Sequence, residues 1–175
     1  MDLAGLLTQE RSNLLKRWRD AILETYPADS RQFLRKEKDT FANPVGTILG
    51  QELDALFDAF TALSDDGKIK SCLENILRIR AVQDFSPSGA VAFILDLKKI
   101  VSGMVKAKGL GNGITLEVAA FDRKVDDLLL LAFDVYSGFR LKLYELRVHE
   151  VQNQVGALLK RANLVCEIPD ADPAV

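Results

Sequence analysis

The chain has 175 residues, of which 48% are hydrophobic and 27% charged, and its net charge is −2. These values are typical of one globular domain with a sizeable core. They argue against a concentrated basic surface for nucleic acid. They also argue against membrane insertion, because no run reaches the roughly 18 uncharged apolar residues of a spanning helix. The two cysteines, Cys72 and Cys166, lie far apart and form no metal or redox motif, which favours a reduced, cytoplasmic protein.

The first third of the chain predicts three helices separated by caps and prolines. We expect the first to begin at Thr8, a typical N-cap residue, and to end at Tyr26-Pro27, because proline disfavours helix in the residue before it. Its apolar face contains Leu14, Leu15, Trp18 and Ile22. A short second helix is predicted from Asp29. Asn43 followed by Pro44 predicts the start of a third, because asparagine is a favoured N-cap and proline suits the first helical position.

Two further helices are predicted before the last third of the chain. The fourth begins at about Ile69, and the fifth begins at Ser86-Pro87, where the cap-then-proline pattern recurs. The fifth is apolar nearly all round, which places it in the middle of a helical bundle. It ends at the glycine cluster 109–113. A helix precedes these glycines, whereas phosphate-binding glycine motifs follow a strand, so the pattern favours a helix end and turn.

The last third of the chain, from Thr115 to Val165, predicts a long helix with two apolar seams. The first seam contains Val118, Phe121, Val125, Leu128, Ala132 and Val135. The second contains Leu141, Tyr144, Val148, Val151, Val155 and Leu158, in steps of three and four residues that are typical of a helix packed along another helix. The two seams are out of phase by two residues, and the change falls near Ser137-Gly138. The segment is therefore one helix, or two helices joined at a glycine kink.

The second seam predicts a homodimer. An unbroken helix from Thr115 to Val165 is about 75 Å long at 1.5 Å per residue, whereas a domain of this size has a radius of gyration of roughly 15 Å. A projecting end would expose the second seam, which monomeric proteins avoid. We expect a second copy of the chain to cover it. The alternative is that the seam packs on the first or third helix of the same chain.

The sequence offers no convergent catalytic residues, cofactor motif or metal motif. His149 is the single histidine, and it lies in the predicted final helix beside Glu145 and Glu150. We therefore expect no enzyme activity, no haem or other cofactor and no metal. A more informative stretch runs from Arg80 to Ser88, where a helix end, a short turn and a new helix start bring many polar side chains together. It is either a structural capping turn or a corner that binds a partner.

Four motifs in one order resemble the RsbRD N-terminal domain family, the sensory domains of RsbT co-antagonist proteins in bacterial stress regulation. These motifs are Tyr26-Pro27, the run 41–46 (FANPVG), the run 80–88 (RAVQDFSPS) and the run 131–136 (LAFDVY). Six residues within these motifs are candidates for contacts with a partner: Asn43, Pro44, Arg80, Gln83, Asp84 and Ser86. The resemblance covers nearly the whole chain, to about Leu164.

The resemblance implies an all-α, globin-like helical bundle without haem, dimeric, whose long C-terminal helix leads into a STAS domain. The chain ends where that domain would begin, so we expect a stand-alone sensory or regulatory module of bacterial stress or redox signalling that acts through dimerisation and contact with a signalling protein. The expected boundaries are a domain over residues 1–165 and a disordered acidic tail over residues 166–175. The alternative function is a carrier of small apolar ligands that uses the pocket where globins hold haem.

Overall fold

A computed structural model of the protein describes residues 1–36, 41–62, 66–83, 85–110 and 113–162. These ranges contain helices and turns and no strand, so the predicted all-α class is confirmed. The helices are α1 (Leu3–Gln9), α2 (Arg11–Glu24), α3 (Ala28–Lys36), α4 (Pro44–Thr61), α5 (Asp66–Val82), α6 (Pro87–Val91), a 3₁₀ turn (Ala92–Ile94), α7 (Asp96–Ala107) and α8 (Thr115–Arg161). The predicted long C-terminal helix is therefore confirmed, and the arrangement is compatible with a globin-like bundle.

The chain divides into two units, Met1–Arg140 and Leu141–Val175. The first unit contains the hydrophobic core. Of the second unit, the described part is the C-terminal portion of α8 and residue 162. The predicted domain end at residue 165 and the predicted tail over residues 166–175 lie outside the described residues and stay predictions.

The start of the chain differs from the prediction. Thr8 lies inside α1 and is not an N-cap, because the chain is already helical from Leu3, and the cap is Asp2, whose side chain accepts a hydrogen bond from the Gly5 N–H at 2.9 Å. A single residue, Glu10, then separates α1 from α2. Three apolar residues of α1, Leu3, Leu6 and Leu7, are buried, so this first helix belongs to the core.

The core of the first unit is built around α2, which contacts α3, α4 and α7. The predicted apolar face of α2 is buried: Leu14, Leu15, Trp18 and Ile22. The Trp18 ring packs against Phe93, with ring centroids 6.0 Å apart, and its indole N–H donates to the Phe93 carbonyl at 2.7 Å. The largest side chain of the core thus has its one polar atom paired, as a buried indole requires.

The predicted fifth helix is not one helix, and it is not apolar all round. Residues 87–107 form α6, the 3₁₀ turn and α7, and α7 presents Asp96, Lys99 and Lys106 away from its buried face. The carbonyls of Gly89, Ala90 and Phe93, which an unbroken helix would use internally, accept hydrogen bonds from distant side chains. Hydrogen bonds from other parts of the fold therefore replace some of the hydrogen bonds of a regular helix here. The apolar periodicity of the sequence cannot predict such bonds.

The N-terminal part of α8 completes the core of the first unit. In the first seam Phe121, Val125, Leu128 and Ala132 are buried and Val118 and Val135 half-buried, so this seam is confirmed as a packing face. Phe121 meets Phe60 of α4 edge to face, with ring centroids 5.6 Å apart. The helix continues through Gly138, so α8 has no break at the position where a kink was considered.

The start of α4 at Asn43-Pro44 is confirmed, and its cap has a second role. The Asn43 side-chain oxygen accepts from the Gly46 N–H at 2.8 Å, while its amide nitrogen donates to the Leu34 carbonyl of α3 at 3.0 Å. The side chain is only 2% exposed. Asn43 therefore caps one helix and binds the end of another, which only a group with both a donor and an acceptor achieves.

We predict that Asn43→Ala lowers the free energy of unfolding by about 2 kcal/mol, the sum of one cap and one further hydrogen bond. Asn43→Asp should also destabilise the fold, by about 1–2 kcal/mol, because a carboxylate keeps the cap but cannot donate to Leu34. Urea unfolding followed by circular dichroism measures both. Ser86→Ala, which removes an exposed cap, is the control and should cost no more than about 1 kcal/mol. An Asn43→Asp protein as stable as the wild type would contradict the second role.

Candidate functional site

The polar centre of the first unit is the guanidinium of Arg80, near the end of α5. Arg80 is 0% exposed. Its Nε donates to the Ala90 carbonyl at 2.8 Å, and its Nη2 donates to the Gly89 carbonyl at 3.0 Å and to the Thr25 hydroxyl at 3.1 Å. One arginine thereby joins the ends of α2, α5 and α6.

Three aromatic rings surround the same guanidinium. Its carbon atom lies 4.0 Å from the centroid of the Phe85 ring, 5.4 Å from that of Tyr26 and 5.7 Å from that of Phe93. Tyr26 and Phe85 also meet edge to face at 5.3 Å. The electron-rich faces of aromatic rings attract a cation, and most strongly where water is excluded. We call Tyr26, Arg80, Gln83, Phe85 and Phe93 the Arg80 corner.

The carbonyls on either side of the turn bind α8. The buried Tyr136 donates its hydroxyl to the Phe85 carbonyl at 3.1 Å, and one turn later Arg140 donates to the Ala81 carbonyl at 3.1 Å. Sequence analysis quoted Tyr136 only as the end of the run 131–136, and it predicted neither of these two contacts. Tyr136 follows the first seam directly, but only the fold shows that its hydroxyl meets the turn between α5 and α6.

Three polar atoms of the Arg80 corner are buried and, within the described residues, lack a hydrogen-bond partner. They are Nη1 of Arg80, the Tyr26 hydroxyl oxygen and Oε1 of Gln83. Burial raises the pKa of Tyr26, while Arg80 and Gln83 oppose that rise. Burial lowers the pKa of Arg80, and Tyr26 opposes it. The three groups therefore face one another, although none forms a hydrogen bond of ordinary geometry with the others.

Three of the other predicted contact residues belong to helix starts rather than to the Arg80 corner. Ser86 caps α6, with its hydroxyl accepting from the Gly89 N–H at 3.1 Å, and Asn43 and Pro44 form the start of α4. Asp84 lies outside the described residues. Capping thus accounts for Ser86 and Asn43, whereas Arg80 and Gln83 belong to the buried polar cluster. A role in partner contacts stays a prediction for all of them.

The second unit presents the second seam to solvent. Along the helix from Leu141, the six seam residues are between 47% and 63% exposed: Leu141, Tyr144, Val148, Val151, Val155 and Leu158. If the second seam packed on another helix of the same chain, these six residues would be buried, and they are not. In the first unit, Leu130 and Phe133 are 64% and 47% exposed. Leu130 lies two heptads before Tyr144 and so shares the spacing of the second seam, whereas Phe133 does not.

A cleft in the first unit offers a place for a small ligand. It has a volume of about 620 Å³ and lies between α1, α4 and the start of α8. Its apolar lining contains Leu3, Leu7, Phe57, Phe60, Ala120 and Phe121. Arg11 and Asp58 form a bidentate ion pair at 2.7 Å on its rim, and Glu117 accepts from the Leu3 N–H at 2.6 Å. The volume is within the usual range for small-molecule sites.

Other kinds of site find little support in the part of the chain that is described. It contains no cluster of three or more histidine, cysteine or acidic side chains able to hold a metal. His149 is exposed. Burial raises the pKa of the Cys72 thiol to about 11, which leaves it protonated and unreactive at neutral pH. None of the described helices combines the length and the apolar character that crossing a membrane requires.

One known protein family matches most of this chain. The family model of the RsbT co-antagonist protein rsbRD N-terminal domain matches residues 12–151, a range that includes the Arg80 corner and most of α8. The chain belongs to this family. It is also similar to an uncharacterized protein of Archaeoglobus fulgidus, with 22% identity over 154 residues, which cover 86% of this chain and 91% of the other. No solved structure gives a significant match.

We predict that Arg80→Met destabilises this RsbRD N-terminal domain by about 3–5 kcal/mol, because it leaves buried carbonyls unpaired and removes the cation from its aromatic surroundings. Arg78→Met is the matched control, since Arg78 is exposed and its guanidinium lies 5.5 Å from the Phe139 ring. That change should cost less than about 1 kcal/mol. Urea unfolding compares the two, and equal effects would show that the Arg80 corner does not determine stability.

Proposed function

We propose that this protein is a sensory or regulatory module of stress signalling that acts by homodimerisation and by contact with a signalling protein. Membership of a family of RsbT co-antagonist domains supports the signalling role. The observation that carries the proposal is the exposed second seam, a continuous apolar face along the described helix of the second unit.

A second copy of the chain is the occupant that the seam fits best. The seam residues recur in steps of three and four, the spacing that lets two helices interlock side by side. The seam from Leu141 to Leu158 extends about 26 Å at 1.5 Å per residue. Valine and leucine supply most of its side chains, while Glu145, Arg147 and Glu150 flank it with charges of both signs. That composition is typical of a helix pair rather than of a surface for nucleic acid or membrane.

A test of the dimer uses Val151→Glu together with Leu158→Glu. Two carboxylates in an apolar helix pair would be buried without partners, so we expect a soluble monomer with unchanged helix content. Light scattering coupled to size-exclusion chromatography, at tens of micromolar chain, measures the mass. The wild-type protein should be a dimer at the same concentration.

The control is the pair Leu146→Glu with Asn153→Glu. These positions have the same seven-residue separation and add the same charge, but at 100° per residue they lie on the opposite face of the helix. We expect this protein to remain dimeric. A monomeric wild type, or loss of dimers in both double variants, would refute the seam as the dimer interface. If the seam variant unfolds and the control variant does not, the seam is part of the hydrophobic core.

The cleft favours a second candidate function, the binding of a small apolar ligand. Its aromatic floor at Phe57, Phe60 and Phe121 suits such a ligand. Native mass spectrometry of the purified protein should then show a bound small molecule. Ala120→Trp, which fills the cleft, should remove it, whereas the exposed Ala119→Trp should not. A protein that carries and takes up no apolar compound would argue against this function.

A further inference from the structure

A second cleft of the first unit adjoins the cleft already described. Its volume is about 290 Å³, and its walls come from α4, the start of α5 and α8. Phe60 and Lys124 line both clefts. The Phe60 ring also meets Phe121 of the first cleft edge to face, with centroids 5.6 Å apart. The two clefts thus share a wall, and together we call them the α8 groove.

The α8 groove follows one face of its helix. The α8 residues that line it recur in steps of three and four: Glu117, Ala120, Phe121, Lys124, Asp127, Leu128 and Leu131. Residues at these spacings lie on the same side of a helix. From Glu117 to Leu131 this face extends about 21 Å at 1.5 Å per residue. A groove of this length suits an extended chain better than a compact ligand.

The charges of the first cleft are balanced within the protein. Arg11 donates to both carboxylate oxygens of Asp58 at 2.7 Å, and Glu117 accepts from the Leu3 N–H at 2.6 Å. Among the described lining residues, Arg11 and Lys124 offset Asp58 and Glu117. This lining therefore has no net charge to offset that of a ligand, and burying an unpaired charge is costly.

The second cleft also disfavours a charged ligand. Lys124 shares its lining with Asp66 and Asp127, so a carboxylate bound there would meet two like charges. Residues 63–65, which lie outside the described part, contain one aspartate and no cation, so they supply no positive charge. A cationic ligand would meet Lys124 in either cleft. The apolar residues that remain in the second cleft are suited to an alkyl chain: Phe60, Ile69, Leu128 and Leu131.

We propose that the α8 groove binds a long, neutral aliphatic molecule of the class of a fatty alcohol, with one end in each cleft. Its chain passes over Phe60 and packs on the apolar side chains of both clefts. The proposal rests on the ligand-binding function proposed for the first cleft, and it specifies the ligand. It does not depend on dimerisation.

The first test measures how affinity depends on chain length. Primary alcohols from octanol to tetradecanol compete with the neutral fluorescent dye phenylnaphthylamine for the purified protein. Each methylene group that enters the groove should strengthen binding about fourfold, since burying one CH₂ contributes roughly 0.8 kcal/mol. We expect this gain to continue to the longest alcohol, because the second cleft receives the end of the chain.

The second test closes the second cleft from either wall, with Ile69→Trp or Leu131→Trp. We expect octanol to bind as tightly as it binds the wild type, while the longest alcohols lose the gain from their added methylene groups. Ser71→Trp adds the same side chain at an exposed position of α5 and should keep the wild-type series. Circular dichroism checks the helix content. If one variant fails to fold, the other variant and the wild-type series still decide.

The third test compares dodecanol, dodecanoate and dodecylamine, which have the same chain and differ in charge. We expect the alcohol to bind at least about tenfold more tightly than either ion, because the groove cannot compensate a buried charge. Tighter binding of dodecanoate or dodecylamine would overturn the neutral ligand.

The outcomes separate this proposal from the function on which it rests. If neither the dye nor any alcohol binds, both fail. If short alcohols bind but longer ones gain nothing, or if both tryptophan variants of the second cleft keep the full wild-type series, the extended groove is refuted. The binding of small apolar ligands in the first cleft then still stands.

Discussion

The fold of the first unit depends on one buried guanidinium. Arg80 binds the carbonyls of Gly89 and Ala90 and the hydroxyl of Thr25, and three aromatic rings enclose it. These bonds join the end of α5 to α6, and the 3₁₀ turn follows α6. The turn between α5 and α6 presents the Phe85 carbonyl to Tyr136 of α8. Removing the guanidinium would therefore disturb the ends of three helices and one anchor of a fourth.

Local signals in the sequence were sufficient for several elements. Asn43-Pro44 and Ser86-Pro87 identified helix starts because an N-cap side chain and a fixed proline φ act within a few residues. The first seam of α8 and the apolar face of α2 followed from periodicity alone. The glycine cluster was correctly interpreted as a helix end: Gly109 has a φ of 66°, which suits glycine, and the Leu110 N–H reaches back to the Val105 carbonyl at 3.1 Å.

Other features were not predictable, because they depend on residues distant in sequence. Thr8 is a residue type that often caps helices, but Asp2 is the cap of α1. The helix begins earlier than predicted because Leu6 and Leu7 pack into the core. The break at residues 92–94 depends on Trp18 and Arg80, which bind carbonyls that a helix would otherwise use. In the candidate site, sequence analysis marked Arg80 and Gln83 through their motif, but it did not indicate that Tyr26 and Tyr136 meet them.

The C-terminal part of α8 has a further consequence. Most of the stability of a helix in a protein comes from tertiary packing of an apolar face, and no residue in the described stretch from Leu141 to Arg161 is buried. Gly138 precedes it with no side-chain contact to stiffen that turn among the described residues. The proposed association through the second seam would therefore be thermodynamically linked to helix formation in this segment. As the protein is diluted, its backbone amides should exchange faster with solvent, while those of the first unit keep their protection.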